Sequence, residues 1–200
     1  MRKVIVQEFT TIDGFAAGPN GELDFIAEFA AADPTAGEHV DDQLRFLETI
    51  DTILLGAVTY RMFAEYWPSQ TPETERIADA LNSTPKVVFS RRIEQAPWGT
   101  WEPARVVSGS ATEEVRRLRR TSGKDMVLWG SLSLAHSLMT EGLVDEYRLW
   151  VCAGLLGHGR SLFTDIDTQG MRWLETKPYE NRVVSVRFEP SEISRDARPT

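Results

Sequence analysis

Twice in this chain a short apolar run passes through a glycine straight into helical spacing: "TILLGAVTY" at residues 52–60 and "MVLWGSLSLAHSLM" at 126–139. A run of four or five buried residues followed at once by a 3.6-residue period is a strand that leaves a sheet and returns as a covering helix. Parallel strands require such crossovers, whereas antiparallel ones need only a tight turn. Two of them in 200 residues restrict the chain to a layered α/β architecture.

The remaining pattern agrees. Val4 and Val6 alternate with Arg2, Lys3 and Gln7 in a strand that runs to about Thr10. "TTIDGFAAGPNGELDF" is too rich in glycine and proline for regular structure and reads as a loop. Val40, Leu44 and Leu47 give one buried helix face. "AVTYRMFAEYW" is helical up to Trp67-Pro68, and Thr71-Pro72 looks like an N-cap opening a helix to about Leu81. "KVVFS" and "ARVVS" are strands, and Ser110 to Glu113 form a capping-box pattern for a helix ending near Gly123. Gly142 suits the C′ position of the late helix. "DEYRLWV" alternates, with Tyr147, Leu149 and Val151 on one side, and "RWLETKPY" with "NRVVSVRFE" reads as a closing hairpin. The expected fold is a three-layer α/β/α domain over residues 1–190, with a mostly parallel central sheet and an antiparallel C-terminal hairpin. Residues 191–200 form a polar, frayed tail.

Charge narrows the function. A net charge of −8 and a pI near 5.0 exclude non-specific nucleic-acid binding, which needs basic surface. No apolar run approaches membrane-spanning length and the N-terminus lacks a signal-peptide core, so the expected compartment is the cytoplasm. The single Cys152 excludes an intrachain disulfide, and His39, His136 and His158 show no metal spacing.

Open α/β sheets bind ligands beyond the carboxyl ends of their strands. Four exits there carry suggestive residues. Ala17 and Gly18 follow the first strand, Gly56 and Thr59 follow "TILL", Ser90 and Arg91 follow "KVVF", and Gly130, Ser131 and Leu132 follow "MVLW". Gly130 lets the backbone approach a ligand and Ser131 can cap the helix behind it. Taken singly each exit is an ordinary turn; together they are consistent with a dinucleotide lying across the sheet edge.

"DGFAAGPNGELDF", "LLGAVTYRMF", "KVVFS", "LWGSLSLAHSLMTEGLVDEYRLW" and "GLLGHGRSLF", in that order, resemble the dihydrofolate-reductase-like proteins. The resemblance is to the branch related to the reductase domain of bacterial riboflavin biosynthesis, and it runs from about Val4 to about Phe188. It implies an NADPH-dependent reductase and a homodimer, with the "LWVCAGLLGHG" region contributing to subunit contacts. It also implies roles for individual residues. The nicotinamide would lie near Ala16-Ala17-Gly18, and the pyrophosphate near Gly56, Thr59 and the N–H groups of Gly130-Ser131-Leu132. Ser90 would lie near the adenosine ribose and Arg91 near its 2′-phosphate. The chain departs from the family's pattern in two places. Ala57 stands where a basic residue is usual, and Ser131 stands in place of the second glycine of a pair.

Reduction of a C=N or C=O bond also needs a proton donor. Asp13 and Asp24 are the first-loop candidates, with Glu22, Asp41 and Asp42 as further carboxylates that read equally as turn or helix-end residues. The substrate expected is a small planar heterocycle of the pterin or ribosylaminopyrimidine type. The alternative is a non-catalytic nucleotide- or metabolite-binding protein whose cofactor site has decayed at Ala57.

Overall fold

The computed structural model describes residues 1–30, 35, 37–164, 170–179 and 182–191. Strand β1 (Val4–Thr11) lies near the middle of the sheet, with β7 (Asp125–Trp129) on one side and β8 (Glu146–Cys152) on the other, both parallel to it. Beyond β7 come β3 (Ile50–Gly56), β4 (Lys86–Phe89) and β6 (Trp101–Val107), all parallel, and then the short antiparallel β5 (Ala96–Trp98). Beyond β8 the antiparallel pair β11 (Val183–Ser191) and β10 (Gly170–Tyr179) closes the other edge. The full order is β10-β11-β8-β1-β7-β3-β4-β6-β5, a mostly parallel sheet with an antiparallel C-terminal hairpin and a dihydrofolate-reductase-like fold.

Helices cover both faces. Helices α2 (Glu38–Leu47), α3 (Ala57–Tyr66) and α4 (Ala78–Ser83) pack on the face that carries Ile5, Ile53, Leu55 and Val127. Helices α5 (Ala111–Arg119) and α6 (Leu132–Thr140) cover the opposite face, where Val4, Val6, Leu54 and Leu128 meet Val115, Ala135 and Leu138. Helix α6 ends in a Schellman motif: the Leu143 N–H reaches the Leu138 carbonyl, the Gly142 N–H reaches Met139, and Gly142 sits at φ 60°. Among the described residues no helix is long and apolar enough to cross a membrane.

Several elements differ from the sequence reading. The 10–25 segment contains strand β2 (Phe15–Ala17), paired with β9 (Arg160–Ser161), and the start of α1 (Asp24–Ala30). Thr71-Pro72 does not open a helix. The Thr71 carbonyl accepts from Thr74 and Glu75 in an isolated turn, because "PETER" offers no apolar stripe to bury, and α4 begins only at Ala78. The buried stripe of α2 is Val40, Gln43, Phe46 and Leu47, with Leu44 only half-buried. Strand β8 is covered on both faces, so Glu146, Arg148 and Trp150 are as buried as Tyr147 and Leu149. The polar tail expected from 191 falls at 192–200, outside the described residues, and Ser191 itself closes β11.

Candidate active site

The chain leaves β1 toward β3, skipping β7, and leaves β7 through α6 toward β8, skipping β1. The covering helices therefore diverge over the carboxyl ends of β1 and β7, where an open α/β sheet forms its crevice. A cleft of about 730 Å³ opens there, within the usual range for a small-molecule site.

The two glycine exits identified in the sequence meet in its wall. The Gly56 N–H, at the end of β3, donates to Ser131 Oγ (2.6 Å), and Ser131 Oγ donates to Thr59 Oγ1 on α3 (2.8 Å). Gly130 has φ 56° and Ser131 has φ 61°, two left-handed residues in succession. Ser131 is the one non-glycine residue with positive φ among those described, so it adopts the glycine conformation that the family's second glycine would hold freely. A Cβ on Gly130 would stand 2.9 Å from Thr59 Oγ1, and a Cβ on Gly56 would stand 2.9 Å from Ser131 Oγ. Ser131 does not cap its own helix as expected, because its hydroxyl is turned toward β3 and α3 instead. The first-turn N–H groups of α6, at Leu132 and Ser133 on the cleft wall, have no side-chain cap.

The other expected site residues divide. Ala17 lines the cleft; Gly18 does not, and its N–H is tied to the Glu22 carbonyl (2.8 Å). Ser90 and Arg91 lie at the end of β4, further along the same edge and outside the cleft wall. Ser90 Oγ closes its own turn by accepting from Arg92 and Ile93 N–H, and Arg91 is exposed. Asp13 is outside the wall as well. Its carboxylate accepts from Thr11 Oγ1 (2.5 Å) and from the Gly157 N–H (2.7 Å), which hold it below the usual carboxylate range. Asp24 is exposed at the start of α1 and also lies off the cleft. Asp41 pairs with Arg76 (2.6 Å). Asp42 accepts from Lys177 (2.5 Å), Tyr179 and Arg45; although burial opposes it, these donors hold its pKa down to about 2.

Sequence reasoning missed the polar residues of β1 itself. Glu8 lines the cleft on the α6 side, its Oε2 buried without a hydrogen-bond partner, and burial pushes its carboxyl up to about 8. Gln7 lines it on the α2 side, where its Nε2 donates to Gln43 Oε1 (3.1 Å) while its Oε1 has no partner. The indole N–H groups of Trp129 and Trp150, on the flanking strands, are buried and unpartnered too. Buried polar groups are nearly always satisfied, so four orphaned atoms around one cleft mark a place for a polar ligand.

Fold and cleft together define a dihydrofolate-reductase-like α/β protein with a binding crevice at its switch point. The chain belongs to the RibD C-terminal domain family, whose model matches residues 2–185. It is 33% identical over 190 residues to the uncharacterized protein YyaP of Bacillus subtilis (strain 168), covering 94% of each chain. Among solved structures, a protein of Shewanella sp. PV-4 assigned to riboflavin biosynthesis superposes with a TM-score of 0.74 at 19% identity, over 95% of this chain and 99% of that one. The diaminohydroxyphosphoribosylaminopyrimidine deaminase/5-amino-6-(5-phosphoribosylamino)uracil reductase of Thermotoga maritima gives a TM-score of 0.66 at 12% identity, covering 95% of this chain but 57% of that one.

Proposed function

We propose that the protein is an NADPH-dependent reductase of a small planar heterocycle of the pterin or ribosylaminopyrimidine type, acting as a homodimer. The observation that carries this reading is the interlocked pair of turns, Gly56 and Gly130-Ser131, opening onto a cleft with orphaned polar atoms. RibD reductase domains use NADPH, and the residues here fit a dinucleotide. Gly130 lets the turn close against Thr59, and the N–H groups of Leu132 and Ser133 together with the positive end of α6 attract anionic oxygens. The strand order β7-β3-β4 puts the exits at Gly130, Gly56 and Ser90 side by side, two strand spacings or roughly 10 Å from end to end, and Ala17, on β2, lines the cleft at whose wall Gly130 stands. Bound NADPH would supply a hydride from its nicotinamide. The matching proton is better assigned to Glu8 than to Asp13 or Asp24: Glu8 is in the cleft wall, and burial keeps its carboxyl protonated at neutral pH.

A second reading has its own observation. Ala57 and Val58 put no cation beside the Gly56 turn, and Val58 is 79% exposed on the cleft rim. On that reading the site is a decayed one that holds another metabolite. Tryptophan fluorescence separates the two, because Trp67, Trp129 and Trp150 line the cleft. Quenching by NADPH is expected for the reductase, and its absence with both NADPH and NADH at millimolar concentration removes that reading. If quenching appears only in Ala57→Arg, the decayed-site reading stands.

A further inference from the structure

Of the three asparagines in the chain, only Asn20 is followed by glycine. Asparagine is thermolabile, and a following glycine, having no Cβ, leaves its own backbone nitrogen open to closure on the asparagine side chain. Asn20 and Gly21 are both exposed, and Gly21 stands in the cleft wall. The turn that holds them is closely specified. The Gly21 N–H donates to the Gly18 carbonyl (3.0 Å) across Pro19 and Asn20, and Asn20 lies outside the left-handed region, which makes this a type I turn. The Gly18 N–H in turn reaches the Glu22 carbonyl (2.8 Å).

Glu22 folds its carboxylate back over this turn. Its Oε2 accepts from the Asn20 N–H (2.9 Å) and its Oε1 from Asn20 Nδ2 (2.7 Å). The Asn20 side chain holds the Glu22 carboxyl below the usual carboxylate range, so the group facing the turn is an anion at neutral pH. Gly18 makes the room for it: a Cβ at that position would stand 2.4 Å from Glu22 Oε2. Three effects then oppose ring closure. The Gly21 N–H has to give up a proton that its bond to Gly18 keeps inside the turn. The adjacent carboxylate disfavours the anionic nitrogen that would result. An amide N–H donated to an anion also pushes electron density onto its own carbonyl, which makes Asn20 Cγ a poorer electrophile. Asn82 offers an internal contrast: it is 3% exposed, and its side chain is held by the Trp67 carbonyl (2.9 Å) and Trp98 Nε1 (2.7 Å).

We propose that Asn20 is a deamidation site beside the cleft and that Glu22 is the positioning residue that guards it. When the carboxylate is displaced, the Gly21 nitrogen bonds to Asn20 Cγ, the Cγ–Nδ2 bond breaks, and ammonia leaves with the Gly21 proton. Water then opens the succinimide to aspartate or isoaspartate, with no change of oxidation state. The product sets a second carboxylate beside Glu22. Isoaspartate also adds a methylene to the turn whose Pro19 carbonyl accepts from Arg160 Nε (3.2 Å), a residue of the cleft wall. The inference is independent of the ligand that the cleft takes.

The test holds the full chain at mildly alkaline pH and follows the gain of one mass unit in the peptide containing Asn20, with isoaspartyl methyltransferase labelling to identify the rearranged product. The folded protein is expected to react at least tenfold more slowly than the same chain unfolded in urea. Glu22→Ala and Gly18→Ala, each shown to be folded by circular dichroism, should raise the folded rate about tenfold by removing or displacing the hydrogen-bonded carboxylate. Gly18→Ala leaves Asn20 and Glu22 in place and so reads the position of the carboxylate alone. Asn82 should stay intact in every folded sample. Equal rates in the folded and unfolded protein overturn the inference, as does a rate in either variant that equals or falls below that of the unmodified protein. A parallel rise at Asn82 in the variants, the mark of global opening, overturns it as well.

Discussion

Glu8 shows how one residue can tie stability to pH. Its carboxyl is raised from 4.5 to about 8 by burial, with the Phe9 N–H opposing weakly and no charged group contributing. The folded chain therefore keeps a proton that the unfolded chain releases between those values. This contribution to stability is fully present below pH 4.5 and is lost as pH rises through 8. Glu8→Gln keeps the shape and cannot ionise, so its urea midpoint should exceed that of the unmodified protein more at pH 9 than at pH 5. The same offset at both pH values would mean that the carboxyl is not buried as described. The signal for this residue was present in "VIVQEFTT", a polar pair inside a strand otherwise fit for burial. Simple alternation puts Gln7 at the surface, whereas a parallel central strand is covered on both faces, which buries Gln7 and half-buries Glu8.

At the scale of elements, the glycine exits were legible because the sequence-local demand and the tertiary role coincide. A strand passing through glycine into a helix has few conformations open to it, and Gly130 takes a left-handed one. What Ser131 does was not legible, since its partners Gly56 and Thr59 are 75 and 72 residues away in sequence. Its hydroxyl couples the end of β3 to the start of α6. Ser131→Ala keeps the left-handed strain and leaves the Gly56 N–H without its acceptor, which should cost about 1–3 kcal/mol. Ser131→Gly loses the same bonds but relieves about 1–2 kcal/mol of backbone strain, so it should be the more stable of the two variants in urea denaturation. The reverse order would remove the strain argument. The false helix at Thr71 has the opposite lesson: a good capping signal starts a turn, but without an apolar stripe nothing extends it.

For the whole molecule, the layer order and the C-terminal hairpin followed from hydrophobic periodicity, while the edge strand β5 did not, because "APW" is too short to show a period. The assembly rests on less. The homodimer comes from family resemblance, and the segment expected to mediate it carries Leu155 at 67% exposure, beside Ile12 at 66%, on loops joined by the Ile12 N–H to Gly154 carbonyl bond (3.0 Å). Two exposed aliphatic side chains on adjoining loops suit a buried contact. Light scattering should give about twice the 22.6 kDa chain mass, and Leu155→Asp should reduce it to one chain. A single-chain mass for the unmodified protein at tens of micromolar would end the dimer proposal.

The two glycine turns also bind each other's evolutionary options. The space that a side chain at Gly56 would need is filled by Ser131 Oγ, although the backbone there, at φ −85°, would accept any residue. Gly56→Ala should therefore harm the protein alone, yet be tolerated once Ser131→Gly has cleared the room. The two positions are expected to drift through sequence space as a pair, with the larger residue allowed at only one of them at a time.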